Sequence, residues 1–144
     1  MTFKFISLFI LSVVLSTGAK PSQTTSVREM LLNGPSGLKL HSLAMITQGK
    51  SGGPIDDSYL PAFKVCAGDE AAPVRSITAQ IIGKHFIENV NEPNSEAIAI
   101  LETLASDESP NTRFSALYYG LTHVKNKSPE LIEELIDAAA VNRD

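Results

Sequence analysis

The chain has 144 residues, enough for one domain. An apolar fraction of 43% against 19% charged is that of a globular protein and excludes wholesale disorder. A formal net charge of −4 and a sequence pI near 5.3 argue against a nucleic-acid binder, which gathers a basic face to neutralise phosphates.

The first predicted element, Met1 to Ala19, is an export signal rather than part of the fold. Lys4 supplies a short positive region, Phe5 to Leu15 is an apolar run of 11 residues, and Thr17-Gly18-Ala19 offers small residues to a signal peptidase. The run is short for a hydrocarbon core of ~30 Å, so cleavage after Ala19 is expected, with an uncleaved N-terminal anchor as the alternative. No cysteine follows the run, so a lipid-anchored form is not supported. Cleavage would leave 125 residues whose 11 basic and 16 acidic side chains give a charge of −5. The expected location is secreted or periplasmic, with no stable membrane insertion once the signal is removed. Residues 20–26 read as a polar leader and 27–144 as the folded domain.

Val27, Met30 and Leu31 space a short helix ending at Asn33-Gly34, and Leu40, Leu43 and Ala44 mark a second. Gln48 to Asp57 is a glycine-rich loop. Asp57-Ser58 is placed to cap a third helix carrying Tyr59, Leu60, Phe63 and Ala67. Within it Cys66, the only cysteine, cannot form an intramolecular disulfide and reads as a buried, inert thiol. Pro73 opens a fourth helix, because a first-turn proline lacks an N–H that would have no acceptor there. Its stripe is Val74, Ile77, Thr78, Ile81, Ile82 and Phe86. Ala97, Ile98, Leu101, Leu104 and Ala105 mark a fifth helix. Phe114, Leu117, Tyr118, Leu121 and Val124 mark a sixth, and Leu131, Ile132, Leu135, Ile136 and Ala139 a seventh that begins at Pro129. Period-two alternation is absent, so an all-α fold is predicted.

The helices recur as pairs. Asp69-Glu-Ala-Ala-Pro73-Val-Arg75 and Asp107-Glu-Ser-Pro110-Asn-Thr-Arg113 share an acid six residues before a base with a proline between; Asn33-Gly-Pro35-Ser-Gly-Leu-Lys39 is a degenerate copy. The basic positions are spaced 36 and then 38 residues apart, a solenoid period. In these motifs the chain resembles HEAT (armadillo-like) repeats over roughly Val27 to Asp144. The resemblance implies a right-handed α-solenoid of about three helix pairs plus a final unpaired helix. It also implies a structural ladder of Asn33/Lys39, Asp69/Arg75 and Asp107/Arg113. Physically, a carboxylate at the turn accepts from the N–H groups that open the next helix. The guanidinium reaches the neighbouring unit's carboxylate through charge-assisted bonds. Projecting the period beyond Asp107 lands on Asp144, so the last helix is expected either to cap the stack or to mark a fragment of a longer array, with truncation favoured.

Catalytic chemistry finds no purchase in this pattern. His85 and His123 occupy the same slot of successive units, ten residues after Arg75 and Arg113. Equivalent positions stack about 10 Å apart, too far for a shared metal ion. Their placement near helix C-termini suits an imidazolium, and a row of ligand contacts is the functional alternative. Glu130, Glu133, Glu134 and Asp137 read as a solvated face complementing a helix N-terminus, and an acidic contact patch is the alternative. Asp56-Asp57 lacks the ligand spacing of a calcium loop, and Gly-Lys-Ser-Gly-Gly from Gly49 lacks both the leading glycine and the strand of a phosphate loop. Tyr118 is expected in the core and Tyr119 outside it, where a tyrosine suits an interface. No catalytic, cofactor or metal residues are assigned. The expected function is a scaffold that binds a protein or peptide through Lys84, His85, Tyr119 and His123, without nucleic acid. The alternative is an accessory domain or fragment of a larger HEAT-like enzyme such as a lyase.

Overall fold

A computed structural model describes residues 25–124 and 129–141. The segment read as an export signal, most of the expected polar leader and Asp144 lie outside the described residues. Those described form seven helices and contain no strand. No helix among them is long and apolar enough to cross a membrane.

Helix α1, Val27–Asn33, opens with a reciprocal cap in which Ser26 accepts from the Glu29 N–H and the Glu29 carboxylate accepts from the Ser26 N–H. It stops at Gly34, and α2, Ser36–Thr47, begins straight after Pro35. The loop that follows contains Gly49 and Gly52 at φ 71° and 81°, a left-handed backbone that glycine adopts at no steric cost. A 3-10 turn, Asp57–Tyr59, then leads into α3, Leu60–Ala67. Asp56 caps the 3-10 turn, its carboxylate accepting from the Ser58 N–H at 3.0 Å, and α3 itself has no side-chain cap where Asp57-Ser58 was expected.

The fourth and sixth helices share an irregularity. Helix α4, Ala72–Ile82, continues into a π-helical turn over Gly83–Ile87. Helix α5, Ser95–Ala105, is capped by the Asn94 side chain. Helix α6, Pro110–Ser115, passes into a π-helical turn over Ala116–Gly120 and a 3-10 turn over Leu121–His123. Helix α7 spans Pro129–Val141. The two π turns meet, since a Cβ on Gly83 would overlap the carbonyl of Tyr119. Glycine is what allows α4 and α6 to approach backbone to backbone at this point.

The helices pack in two layers. Each pairs with its neighbour in sequence (α1 with α2, α3 with α4, α5 with α6), while α1, α3 and α5 follow one another in one layer and α2, α4 and α6 in the other. Helix α7 rests chiefly on α6 and its π turn. The core between the layers is built from Leu31, Leu43, Phe63, Val74, Ile82, Leu101, Leu104 and Leu117, each at most 1% exposed. Phe63 holds Tyr59 on one side and Phe86 edge-on at 6.1 Å on the other.

Two stripe residues face outward, contrary to the sequence pattern. Tyr118 is 51% exposed and stacks on Phe114 with ring centroids 5.2 Å apart. A π turn holds more residues per turn than an α turn, so side chains beyond Ala116 are rotated out of the 3.6-residue register. In α7, Ile136 is 61% exposed while Ala138 is buried. Glu133, Glu134 and Asp137 are exposed, as a solvated acidic face would be.

Candidate functional site

The turns that join paired helices are tied together by charge. In the first rung, Asp69 accepts from Lys39 Nζ at 2.9 Å, from the Ser36 hydroxyl at 2.7 Å and from the Ala71 N–H at 2.9 Å. In the second, Arg75 grips Asp107 with two parallel bonds, Nε to Oδ2 at 2.7 Å and Nη2 to Oδ1 at 2.9 Å. Its remaining nitrogen, Nη1, donates to the carbonyls of Asp69 and Glu70 in its own turn. Lys39 and Arg75 therefore each reach the carboxylate at the turn of the following helix pair. Arg113 repeats the local half, with Nη1 donating to the carbonyls of Asp107 at 2.7 Å and Glu108 at 3.1 Å. The structure does not bring Asn33 to this row: it ends α1 with its side chain exposed.

Charge and burial oppose one another here. Burial works against the Asp69 carboxylate, yet bonds from Ser36, Ala71 and Lys39 hold it below the usual carboxylate range. Burial likewise works against Asp107, and it is outweighed by Arg75, the Ser109 N–H and the nearby Arg113 charge, which leave its proton affinity lowered. The Asp107 bond raises the proton affinity of Arg75 despite burial. These residues serve architecture, because their polar atoms are consumed by one another. Cys66 is equally closed to chemistry: it is fully buried, its Sγ lies 3.7 Å from the Leu31 carbonyl, and burial pushes its thiol up to about 11.

An open surface runs along the second layer, across α4 and α6. Lys84, His85 and Tyr119 meet there around a depression of about 270 Å³ that Gln80, Ile81, Glu88 and Thr47 complete. Tyr119 is 38% exposed, and its ring meets that of Tyr118 edge-on at 5.0 Å. Burial, reinforced by the Lys84 charge, lowers the proton affinity of His85, which suits a neutral hydrogen-bonding imidazole rather than the imidazolium of a helix-end cap. His123 is exposed in the 3-10 turn after Gly120 and does not line this depression.

Gln80 continues the surface into a second depression of about 350 Å³, lined also by Ser76, Ile77 and Asn111. Its floor is polar. The Ser76 and Ser115 hydroxyls lie 2.8 Å apart, and Gln80 Nε2 donates to Ser115 Oγ at 3.4 Å. Ser76, Gln80 and Ser115 were not singled out by sequence. The available signal was Gly83, whose missing side chain lets α4 approach the Tyr119–Gly120 backbone. Among the described residues no three His, Cys, Asp or Glu side chains converge to hold a metal ion.

No family model, curated protein or solved structure matches the chain.

Proposed function

We propose that this chain is an exported, HEAT-like α-solenoid that acts as a protein-binding scaffold. In this reading the three helix pairs are successive units of a right-handed stack, the Asp/Arg turns fix the angle between them, and α7 follows as an unpaired helix. One observation carries the binding role: Lys84, His85 and Tyr119, drawn from two different units, meet in one shallow groove. Such a groove across consecutive second helices is what an extended binding surface of stacked repeats requires. Its composition suits protein recognition, with an accessible tyrosine beside an amide, an imidazole and charges of both signs. Export rests on Met1 to Ala19 and places the partner in a secreted or periplasmic setting.

The test is affinity capture from the extracellular or periplasmic fraction with the wild-type chain and with Tyr119→Ser/Lys84→Glu. Both positions are exposed, so the fold should survive, which circular dichroism would verify. A protein retained by the wild type and lost by the double variant is the expected result. Equal retention by both would place binding elsewhere, and no retained protein would overturn the scaffold reading.

A further inference from the structure

On the other side of His85 from the Tyr119 groove lies a wider concavity of about 650 Å³. Part of its wall is apolar, built from Ile55, Phe86 and the 37% exposed Val90. Its polar edge is acidic, with Asp56 and Asp57 from the turn before α3 and Glu92 from the linker before α5. Asp56 is already engaged, because it caps the turn through the Ser58 N–H and feels the charge of Arg28. Asp57 and Glu92 have no ion-pair partner among the described residues. The nearest cationic side chain on the π turn, Lys84, lines the other groove and not this one. His85, which lines both, has its proton affinity lowered by burial and by Lys84.

Chemistry narrows the occupant. An anion would meet two uncompensated carboxylates. A purely apolar group would strip water from them without offering a hydrogen bond in return. Among the described residues, the carboxylates and imidazole that line the groove do not draw together as a set of three that could hold a metal ion. A cationic head on an apolar stem satisfies both the apolar wall and the acidic rim, and among protein side chains lysine and arginine have that form.

We propose that this groove receives a lysine or arginine side chain of a partner segment, its methylenes against Phe86 and Val90 and its charge against Asp57 and Glu92. The identity of the carrier rests on the scaffold reading, since His85 borders both grooves and a segment leaving Tyr119 passes over it. The site itself is tested without any partner.

The isotope-labelled protein is titrated with a capped tripeptide holding arginine between two alanines, and with its citrulline counterpart, a neutral isostere. The expected result is saturable amide shifts at Asp57, Ser58, Phe86, Val90 and Glu92 with arginine only, in the millimolar range. Asp57→Asn/Glu92→Gln should weaken binding by about tenfold, the scale of two part-exposed charge contacts. Both residues are exposed, and an otherwise unchanged spectrum would show that the fold is intact. Equal shifts with citrulline, shifts scattered over unrelated carboxylates, or no saturable shift would each overturn the assignment. Arginine binding in the absence of any Tyr119-dependent partner would uphold the groove and leave only the scaffold reading in error. A Tyr119-dependent partner with no arginine effect would do the reverse.

Discussion

Arg75 is the side chain on which most local bonds converge, since it holds two carbonyls of its own turn and both oxygens of Asp107. Its side chain is 8% exposed and that of Asp107 10%, so deleting one partner leaves the other charged, enclosed and unpaired. Arg75→Ala should cost about 3 kcal/mol, the low end of what breaking a buried ion pair costs. Arg113 has the two carbonyl bonds but no carboxylate partner among the described residues, so Arg113→Ala should cost only about 1 kcal/mol. Chemical denaturation of the two variants would separate them, and equal losses would contradict the pairing. The same carboxylates set an acid limit. Asp69 and Asp107 bind protons more weakly in the folded chain than at their ordinary value of 3.8. Their contribution is therefore complete above that pH. It is lost as the pH falls from there through their lowered folded-state values, because the unfolded chain takes up protons first. Asp69→Asn should lower stability at neutral pH and flatten its fall below pH 4, measured by urea unfolding across that range. An unchanged slope would remove Asp69 from the linkage. The turns were legible in the sequence because a carboxylate, a proline and a base within seven residues define them, and the reach of Arg75 to Asp107, 32 residues on, was legible only because the turn recurs.

Between helices, the least tolerant contact is Gly83 against the carbonyl of Tyr119, where two π turns touch. Backbone cannot yield as a flexible side-chain end can, so Gly83→Ala should destabilise by about 2–3 kcal/mol, as overpacking of a tight interface does. It should also shift the amide resonances of Tyr119 and Gly120. A neutral Gly83→Ala would mean that α4 and α6 separate freely. This contact also explains where sequence reasoning reached its limit. All seven helices were visible from apolar spacing and proline placement, with Pro73, Pro110 and Pro129 in first turns. Tyr118 was misplaced because spacing assumes an unbroken 3.6-residue period, and the π turn over Ala116–Gly120 breaks it. Of the predicted contact residues, Lys84, His85 and Tyr119 converge because the α4 and α6 helices that carry them lie side by side, whereas His123, in the slot equivalent to His85, does not join them. The acidic groove was invisible for the opposite reason. Asp57 and Glu92 sit in segments without periodicity, 35 residues apart, and only the folding of two linkers toward His85 places them on one rim.

Whether the whole molecule unfolds as one unit depends on how strongly the helix pairs are coupled, and Cys66 reports on that. It lies in α3, in the second pair, while the Arg75–Asp107 rung joins the second pair to the third. Its thiol is fully buried and its proton affinity is raised, so an alkylating or disulfide reagent reaches a reactive thiolate only after α3 has opened. Two outcomes follow from the architecture. If the continuous core from Leu31 through Phe63 and Leu101 to Leu117 makes opening cooperative, exposure of Cys66 requires global unfolding. Arg75→Ala should then raise the labelling rate by the full equilibrium factor, roughly a hundredfold for about 3 kcal/mol. If instead the first two pairs open by themselves, breaking the rung should alter labelling much less than global stability, as a stack held by nearest-neighbour interfaces permits. The observed packing favours the first outcome, because α4 reaches α2, α3, α5 and α6 at once and no layer can part without uncovering it. Labelling at low denaturant, with reclosing faster than reaction, measures this directly. A rate indifferent to Arg75→Ala would show that the third pair unfolds separately from the rest.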